Sequence, residues 1–222
     1  MRNQIRWTAL TTFVVLLLLL CIFMVMSCTS NDDYDDHLPP YQKTLCELLT
    51  DTAGIATTVR FDDGHEAPLL HRVKDLTPDS VYRIAATTLQ SAEGVELYNA
   101  SYVFAPMPQK IKAEDMVTDP VEVLTAWRDL RYVNMRLRVT RAAEAGHYMG
   151  FADMGVKHNT DGTRVRTVKF YHDRNGDSEY YRQETLISLP IYQMSSELRP
   201  GVDSVRLVVN TPNGEQNFTC LY

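Results

Sequence analysis

Short turn signals recur along the chain and constrain its fold more than any other sequence feature. Asparagine or aspartate before glycine supplies the positive φ angles that two-residue hairpin turns require. Each signal lies between runs of β-branched or aromatic residues, and no segment after residue 38 shows a sustained helical period. The pattern predicts an all-β chain. Four signals are of this kind, Asp63-Gly64, Asp161-Gly162, Asn175-Gly176 and Asn213-Gly214, and the fifth is Glu93-Gly94.

The first block of strands, within residues 39–108, predicts a small OB-like barrel. Five short apolar or alternating segments occur in about seventy residues, which is typical of a small closed sheet. Pro106 and Pro108, followed by a charged run, predict a linker over residues 109–118. The predicted strands are Tyr41–Leu49, Ile55–Phe61, Glu66–Leu70, Val81–Gln90 and Val95–Phe104.

The second block, residues 119–222, predicts an antiparallel β-sandwich. Seven strand-like segments with hairpin signals occur in about a hundred residues. One short helix is predicted near Ile191–Glu197, before Pro200. Because each domain is close to the lower size limit for an independent core, we expect the two to pack together. The predicted strands are Val121–Trp127, Arg131–Arg141, His147–Val156, Arg164–Tyr171, Tyr180–Leu189, Ser204–Val209 and Gln216–Tyr222.

The N-terminal segment has the features of a signal peptide. Arg2 and Arg6 precede the unbroken apolar run Phe13–Met26, which fits a signal-peptide core and is shorter than the ~20 residues of a spanning helix. The segment Val25-Met26-Ser27-Cys28 resembles a bacterial lipobox. It predicts a lipoprotein signal peptide over residues 1–27 and acylation, including palmitate, at Cys28. A retained anchor helix is the alternative.

Acidic residues follow the predicted lipidation site. Asp32, Asp33, Asp35 and Asp36 cannot pack into a core, so residues 28–38 are predicted to be a solvated tether. The tether also resembles the export signal of surface lipoproteins, which predicts a lipid-anchored protein on the outer face of the outer membrane. A plain spacer, and a periplasm-facing position, are the alternatives.

Charge and cysteine content limit partners and cross-links. The formal net charge is −6, and losing residues 1–27, with two arginines and no acids, brings it to −8. Such a chain has no excess of cations to neutralise phosphates, so we expect no nucleic-acid partner. With Cys28 acylated, Cys46 and Cys220 remain as the one possible intramolecular pair. Two alternatives remain for these cysteines: they form a disulfide, or they are two separately buried thiols.

Several stretches, in this order, resemble the NigD-like lipoproteins. The resemblance extends over essentially the whole chain, although Leu69–His71 and Ala142–Gly146 diverge. It implies a lipobox, an acidic tether, an N-terminal OB-like domain and a C-terminal β-sandwich. It also implies a role in bacteriocin immunity, with no assigned catalytic residues. The matching stretches are Val59–Gly64, Val81–Ile84, Asp119–Val123 with Trp127, Tyr132–Leu137 and Gly201–Leu207.

No motif for catalysis or a cofactor emerges. The sequence lacks the Gly-x-Ser-x-Gly nucleophile motif, and His65 and His71 are too far apart to share zinc on a helix. The oxygens of Asp173, Asn175 and Asp177 imitate a calcium loop, but its glycine is misplaced and its flanks are strand-like. We therefore predict a non-enzymatic protein without cofactor or metal, with calcium at these three residues as a minor alternative.

Three other clusters have a functional and a structural interpretation. His147, His158 and His172 either converge at strand ends or are solvated. Four tyrosines form either a ligand platform or cross-strand pairs. Five arginines meet either an acidic partner or acids on neighbouring strands. The tyrosines are Tyr171, Tyr180, Tyr181 and Tyr192, and the arginines are Arg128, Arg131, Arg136, Arg138 and Arg141.

These features together predict a function in the cell envelope. We expect a monomeric lipoprotein, held to the membrane through acyl chains on Cys28, that binds an unknown protein or glycan ligand. The resemblance to the NigD-like lipoproteins implies that this binding serves in bacteriocin immunity. The alternative is a glycan- or peptide-binding accessory lipoprotein of an outer-membrane uptake system.

Overall fold

The first part of the described chain closes into a five-stranded barrel. The structure, a computed structural model, describes residues 41–142, 144–194 and 197–222. The strand order is β1-β2-β3-β5-β4, and β3 runs parallel to β5 while the other neighbours are antiparallel. This confirms the predicted barrel. The strands are β1 (Gln42–Thr50), β2 (Ala56–Phe61), β3 (Glu66–Val73), β4 (Val81–Gln90) and β5 (Val95–Tyr102).

Alternation in the sequence fills the barrel. Cys46 and Leu48 on β1 and Ile84 and Ala86 on β4 point inward and are buried, as a period of two requires. Gly94 permits the closure, because a Cβ at this position would lie 2.6 Å from the carbonyl oxygen of Pro68. Its φ of +148° also disfavours a side chain.

The second part is a sandwich of a three-stranded sheet, β10-β7-β6, and a four-stranded sheet, β12-β11-β9-β8. Val133, Met135 and Leu137 of β7 alternate into the core between the sheets, where Phe151 and Phe170 pack edge to face. The predicted sandwich is confirmed, with one parallel pair, β9 with β11. The strands are β6 (Glu122–Arg128), β7 (Tyr132–Arg141), β8 (Tyr148–His158), β9 (Arg164–Asp173), β10 (Tyr181–Pro190), β11 (Ser204–Thr211) and β12 (Gly214–Leu221).

One of the five turn signals does not close a hairpin. Asn175 and Gly176 do adopt positive φ, and the amide of Asp177 bonds the carbonyl of Arg174 at 2.9 Å. However, β9 belongs to the four-stranded sheet and β10 to the three-stranded sheet, so the predicted hairpin is wrong. A tight turn fixes the local backbone, but it does not decide whether the next strand pairs or crosses to the other sheet.

The segment after the barrel runs along the sandwich. The Phe104 carbonyl accepts the Ser188 amide at 2.9 Å, Gln109 bridges to Ala152, and Thr118 bridges to His172. A 3₁₀ turn, Ala113–Asp115, lies between these contacts. A second 3₁₀ turn, Tyr192–Met194, occupies part of the predicted short helix. The described strands of both parts belong to one compact unit.

The remaining predictions concern the N-terminal segment, membrane-spanning helices and the two cysteines. The signal peptide, Cys28 and the acidic tether lie outside the described residues. Across the described ranges, no helix is long and apolar enough to cross a membrane. Cys46 lies in the barrel core and Cys220 packs against the sandwich core, and both are free thiols. Cys46 is buried and Cys220 is half-buried, and the two lie against different cores.

Candidate functional site

The barrel and the sandwich meet through a buried carboxylate. Glu47 lies on the outward-facing side of β1, yet its side chain is 1% exposed. Its carboxylate accepts hydrogen bonds from Arg60 at 2.9 Å, from Arg131 at 3.1 Å and from the Tyr132 hydroxyl at 2.5 Å. Burial, and then the Glu47 carboxylate, raise the pKa of Tyr132, so this phenol stays a donor. The Arg131 guanidinium also stacks 3.7 Å above the Tyr192 ring.

A second buried group extends the junction. Arg83 faces Glu47 across the β1–β4 pair, and its side chain is 2% exposed. Its guanidinium makes a bidentate pair with Asp62, donates to Asn134 at 3.1 Å and lies 4.1 Å above the Tyr132 ring. Because each carboxylate and guanidinium here has a partner of opposite charge, this junction can stay buried.

The sandwich contributes one row of polar side chains to this junction. Asn134 on β7 is opposite Ser188 on β10 and Trp127 on β6. The Ser188 hydroxyl donates to the Asn134 oxygen at 2.7 Å, and the Asn134 amide donates to Asp129. The row lies on the face of the three-stranded sheet opposite its core, because Asn134 alternates with Val133 and Met135. This outer face therefore meets the barrel.

Two carboxyl groups of the junction contact each other. Burial, and then a hydrogen bond with Asp62, raise the pKa of Asp129 to about 6. A carboxyl pair of this kind holds a proton that an isolated aspartate would have lost. Both groups have structural partners: Asp62 is held by Arg83, and Asp129 by Asn134 and Trp127. The pair therefore joins the barrel to the sandwich.

An open groove of about 1300 Å³ begins beside this pair. One wall is the barrel, and the opposite wall is the outer face of the three-stranded sheet. Apolar surface predominates, with charge at Asp62, Asp129 and a few flanking side chains. A groove with this mixture can bind a partner by burial and by a few directed polar contacts. Residues of both walls include Leu45, Ala85, Ser101, Trp127, Arg136 and Thr185.

Two of the three singled-out histidines converge. His147 Nδ1 lies 2.9 Å from His172 Nε2, and His147 Nε2 lies 3.1 Å from the carboxylate of Asp177. His172 Nδ1 lies 3.3 Å from the Asp119 carbonyl oxygen. His158 does not join them, because it lies exposed at the far end of β8.

The three oxygen-bearing residues of the calcium alternative make other contacts. Asp173 accepts the amide of Asn175 at 2.7 Å, as an Asx turn does. Asp177 accepts the amides of Ala142 and Glu144, each at 3.0 Å, as well as bonding His147. Among the residues that the structure describes, no group of three or more histidine, cysteine or acidic side chains has the arrangement of a metal site.

The tyrosines do not form one platform. Tyr180 is 88% exposed, whereas Tyr192 packs edge to face against Tyr132 in the junction. Tyr171 lies on β9 in the four-stranded sheet and Tyr181 on β10 in the three-stranded sheet. The sequence pattern grouped side chains that the two-sheet topology separates.

Most of the arginine face follows the structural interpretation. Arg138 bonds Glu122 on β6 and Glu184 on β10, so acids of both neighbouring strands balance it. Arg141 bonds Gln183, and Arg136 lines the groove. Arg131 was not expected in a buried network, and it bonds Glu47 there.

The residues that build the junction were not predicted from the sequence. Glu47 and Arg83 lie on the outer face of barrel strands, where alternation predicts exposed side chains. Asn134 belongs to the polar face of β7, together with Arg136 and Arg138, so the alternation of that strand carries no signal for its burial.

Comparisons with known proteins agree with this fold. A model of the NigD-like C-terminal β-sandwich domain matches residues 104–222, more than half of the chain. The match begins at the segment that pairs with β10. No curated protein matches.

Three solved structures share the architecture over most of their length. A NigD-like immunity protein from Bacteroides caccae has a TM-score of 0.60 at 20% identity, covering 83% of this chain and 93% of that one. A protein of unknown function from Bacteroides vulgatus has a TM-score of 0.63 at 14% identity, covering 82% and 90%. A protein provisionally named toxin-related, from Parabacteroides distasonis, has a TM-score of 0.62 at 17% identity, covering 82% and 93%. At these identities the likeness shows the fold, and the family match shows more: this chain belongs to the NigD-like family.

Proposed function

We propose that the protein is a lipid-anchored protein of the cell envelope that gives its producer immunity to a bacteriocin by binding, without catalysis. Family membership supports this role, as does the fold shared with a protein named as a NigD-like immunity protein. The sequence supports the location, since Cys28 follows a lipobox-like segment and precedes an acidic tether. Acyl chains on Cys28 would hold the folded unit at the membrane surface.

The groove between the barrel and the three-stranded sheet is the observation that carries the binding role. Its volume of about 1300 Å³ exceeds what a small metabolite fills, so it suits a segment of a macromolecular partner. Trp127 gives it a large aromatic surface, a residue type that dominates binding energy at protein interfaces. The junction network holds both walls, so the groove is formed before the partner arrives.

The immunity role is tested by survival. A strain that lacks this chain is challenged with the bacteriocin encoded beside it, and the chain is then restored. We expect sensitivity after deletion and protection after restoration. A deletion strain that stays fully resistant contradicts the proposal. If that strain instead loses growth on a polysaccharide, the glycan-binding alternative replaces it.

The anchor is tested separately by Cys28→Ala. We expect this variant to lose acyl labelling and membrane retention, while a Cys21→Ala control keeps both, because the bulky Leu20 precedes Cys21. A Cys28→Ala protein that is still acylated would show that the site has been misplaced.

A further inference from the structure

The edge strands of the two sandwich sheets differ in how well they are protected from further pairing. The Phe104 carbonyl bonds the middle of β10 from outside its sheet, and Gln109 bonds β8 through both its amide and its carbonyl. Bulges also interrupt β8 after Asp153 and β6 after Val123. Covering segments and bulges of this kind prevent an edge from accepting another strand.

The fourth edge, β12, has neither kind of protection. It pairs with β11 in unbroken register over all eight residues from Gly214 to Leu221. Its sequence contains no proline, lysine or arginine, the residues that commonly guard an edge. Within the described parts of the chain, no segment bonds its outer side. This edge can therefore accept another strand.

The hydrogen-bond phase of β12 identifies the free peptide groups. The Tyr222 amide, just after the strand, donates to the Asp203 carbonyl at 2.8 Å. Because bonded residues alternate along an antiparallel pair, the even-numbered residues of β12 turn their peptide groups towards β11 and the odd-numbered residues turn theirs away. The outward residues are all exposed, and they are Glu215, Asn217, Thr219 and Leu221.

The core-facing side chains of β12 also lack full cover. Phe218 and Cys220 pack against the sandwich core but are only half-buried, since no strand of the described chain lies beyond β12. A further strand at this edge would cover their open side, and burial of apolar surface favours such an addition.

The charges near this edge complement each other across a twofold axis. Glu215, the one charged side chain of β12, bonds Lys169. Arg206 on β11 is exposed opposite Thr219, and no acid of the described chain pairs with it. If two β12 strands pair antiparallel about Asn217, Glu215 of each copy lies opposite Thr219 of the other, with Arg206 one strand further. Strands are about 4.8 Å apart, so the two backbones are about 10 Å apart, a distance that extended glutamate and arginine side chains span together.

We propose that two copies of this chain pair antiparallel through β12, about a twofold axis at Asn217, and join their four-stranded sheets into one sheet of eight strands. A second copy fits this edge because the contact is self-complementary, so the Glu215–Arg206 approach occurs twice. The groove lies between the barrel and the outer face of the three-stranded sheet, and pairing through the other sheet leaves it open. The dimer is therefore independent of the proposed binding role.

Disulfide trapping on intact producer cells tests the pairing. Residues directly opposite in a hydrogen-bonded antiparallel pair have Cα atoms about 5.5 Å apart, a separation that a disulfide spans. After mild oxidation we expect Asn217→Cys to give a reducible band at twice the mass of one chain. Thr160→Cys, at an exposed position in the turn between β8 and β9, is the matched control and should stay at the mass of one chain. Dimer bands from both variants or from neither overturn the proposal, as does a link between Asn217→Cys and a different protein.

Sedimentation equilibrium of the purified full-length protein in detergent tests the edge itself. Proline at residue 219 removes an outward N–H and leaves the bonds between β12 and β11 in place, because Thr219 turns its amide away from β11. We expect the wild type and Thr219→Val, which keeps this N–H, to have the mass of two chains, and Thr219→Pro to have half that mass. A wild type with the mass of one chain, the state expected from the sequence, overturns the proposal, as does a folded Thr219→Pro that stays dimeric. If Thr219→Pro does not fold, the disulfide experiment decides.

Discussion

Glu47→Gln tests the buried junction between the barrel and the sandwich. The substitution keeps the shape of the side chain but removes its charge and one of its two acceptor oxygens. Glu47 is 1% exposed and accepts hydrogen bonds from Arg60, Arg131 and Tyr132. The amide must therefore direct N–H groups at one or two of these donors, inside a site that water does not reach.

The cost can be worked out from the burial of each partner. A hydrogen bond to a charged group contributes about 1.5–3 kcal/mol, and breaking a fully buried ion pair costs about 3–5 kcal/mol. Arg60 and Arg131 are 24% and 22% exposed, so both regain some hydration, and Arg60 keeps its bond to Glu66. We therefore expect a loss of about 2–4 kcal/mol in the free energy of unfolding.

Urea unfolding, followed by tryptophan fluorescence and circular dichroism, measures this loss. Glu66→Gln is the matched control, because Glu66 bonds the same arginine from a site that is 46% exposed. An exposed pair of this kind should cost no more than about 1 kcal/mol. If Glu47→Gln loses no more stability than Glu66→Gln, the junction does not hold the two parts together and the reasoning fails.

Three further outcomes follow from the structure. Since burial and Asp62 raise the pKa of Asp129 to about 6, wild-type stability should fall as the pH rises from 4 to 6. Asp129→Asn should therefore be about 1–2 kcal/mol more stable at pH 7, after allowance for solvent screening, with the gain shrinking towards pH 4 in urea titrations. Gly94→Ala should lower the melting temperature at a cost of about 1–3 kcal/mol, because its Cβ would meet the Pro68 carbonyl; an unchanged melting temperature would contradict this. Burial raises the pKa of Cys46 to about 12, so its thiol should react with Ellman's reagent only after unfolding, and rapid reaction in the native protein would refute its burial.

Strands and turns of this protein could be predicted from the sequence because they depend on local patterns. Alternation located all twelve strands, and four of the five turn signals close hairpins. The fifth, at Asn175-Gly176, shows the limit. Turn chemistry sets a few φ and ψ angles, whereas the choice between pairing and crossing depends on which faces the rest of the chain buries.

The candidate site was less predictable because it arises where two surfaces meet. Glu47 and Arg83 belong to the barrel, while Tyr132 and Asn134 belong to the sandwich, and the sequence separation between such partners reaches 85 residues. Each has an ordinary local context. Their burial follows only from docking, which no periodicity encodes. Convergence of His147 and His172 is one of the two alternatives predicted from the sequence, because both residues lie near predicted strand ends. Their contact with Asp177 depends on the three-dimensional fold.

The central claim is that the partner binds in the groove. It is tested most directly by filling the groove with a bulky side chain and measuring whether the protein still protects its producer. Ser101 is exposed and lines the groove, so Ser101→Trp should fill it without disturbing the core. Asn217→Trp on the exposed strand β12 is the matched control. In the deletion strain challenged with the bacteriocin, we expect Asn217→Trp to protect as the wild type does and Ser101→Trp to protect far less, at equal surface levels. Equal protection by both variants would contradict binding in the groove.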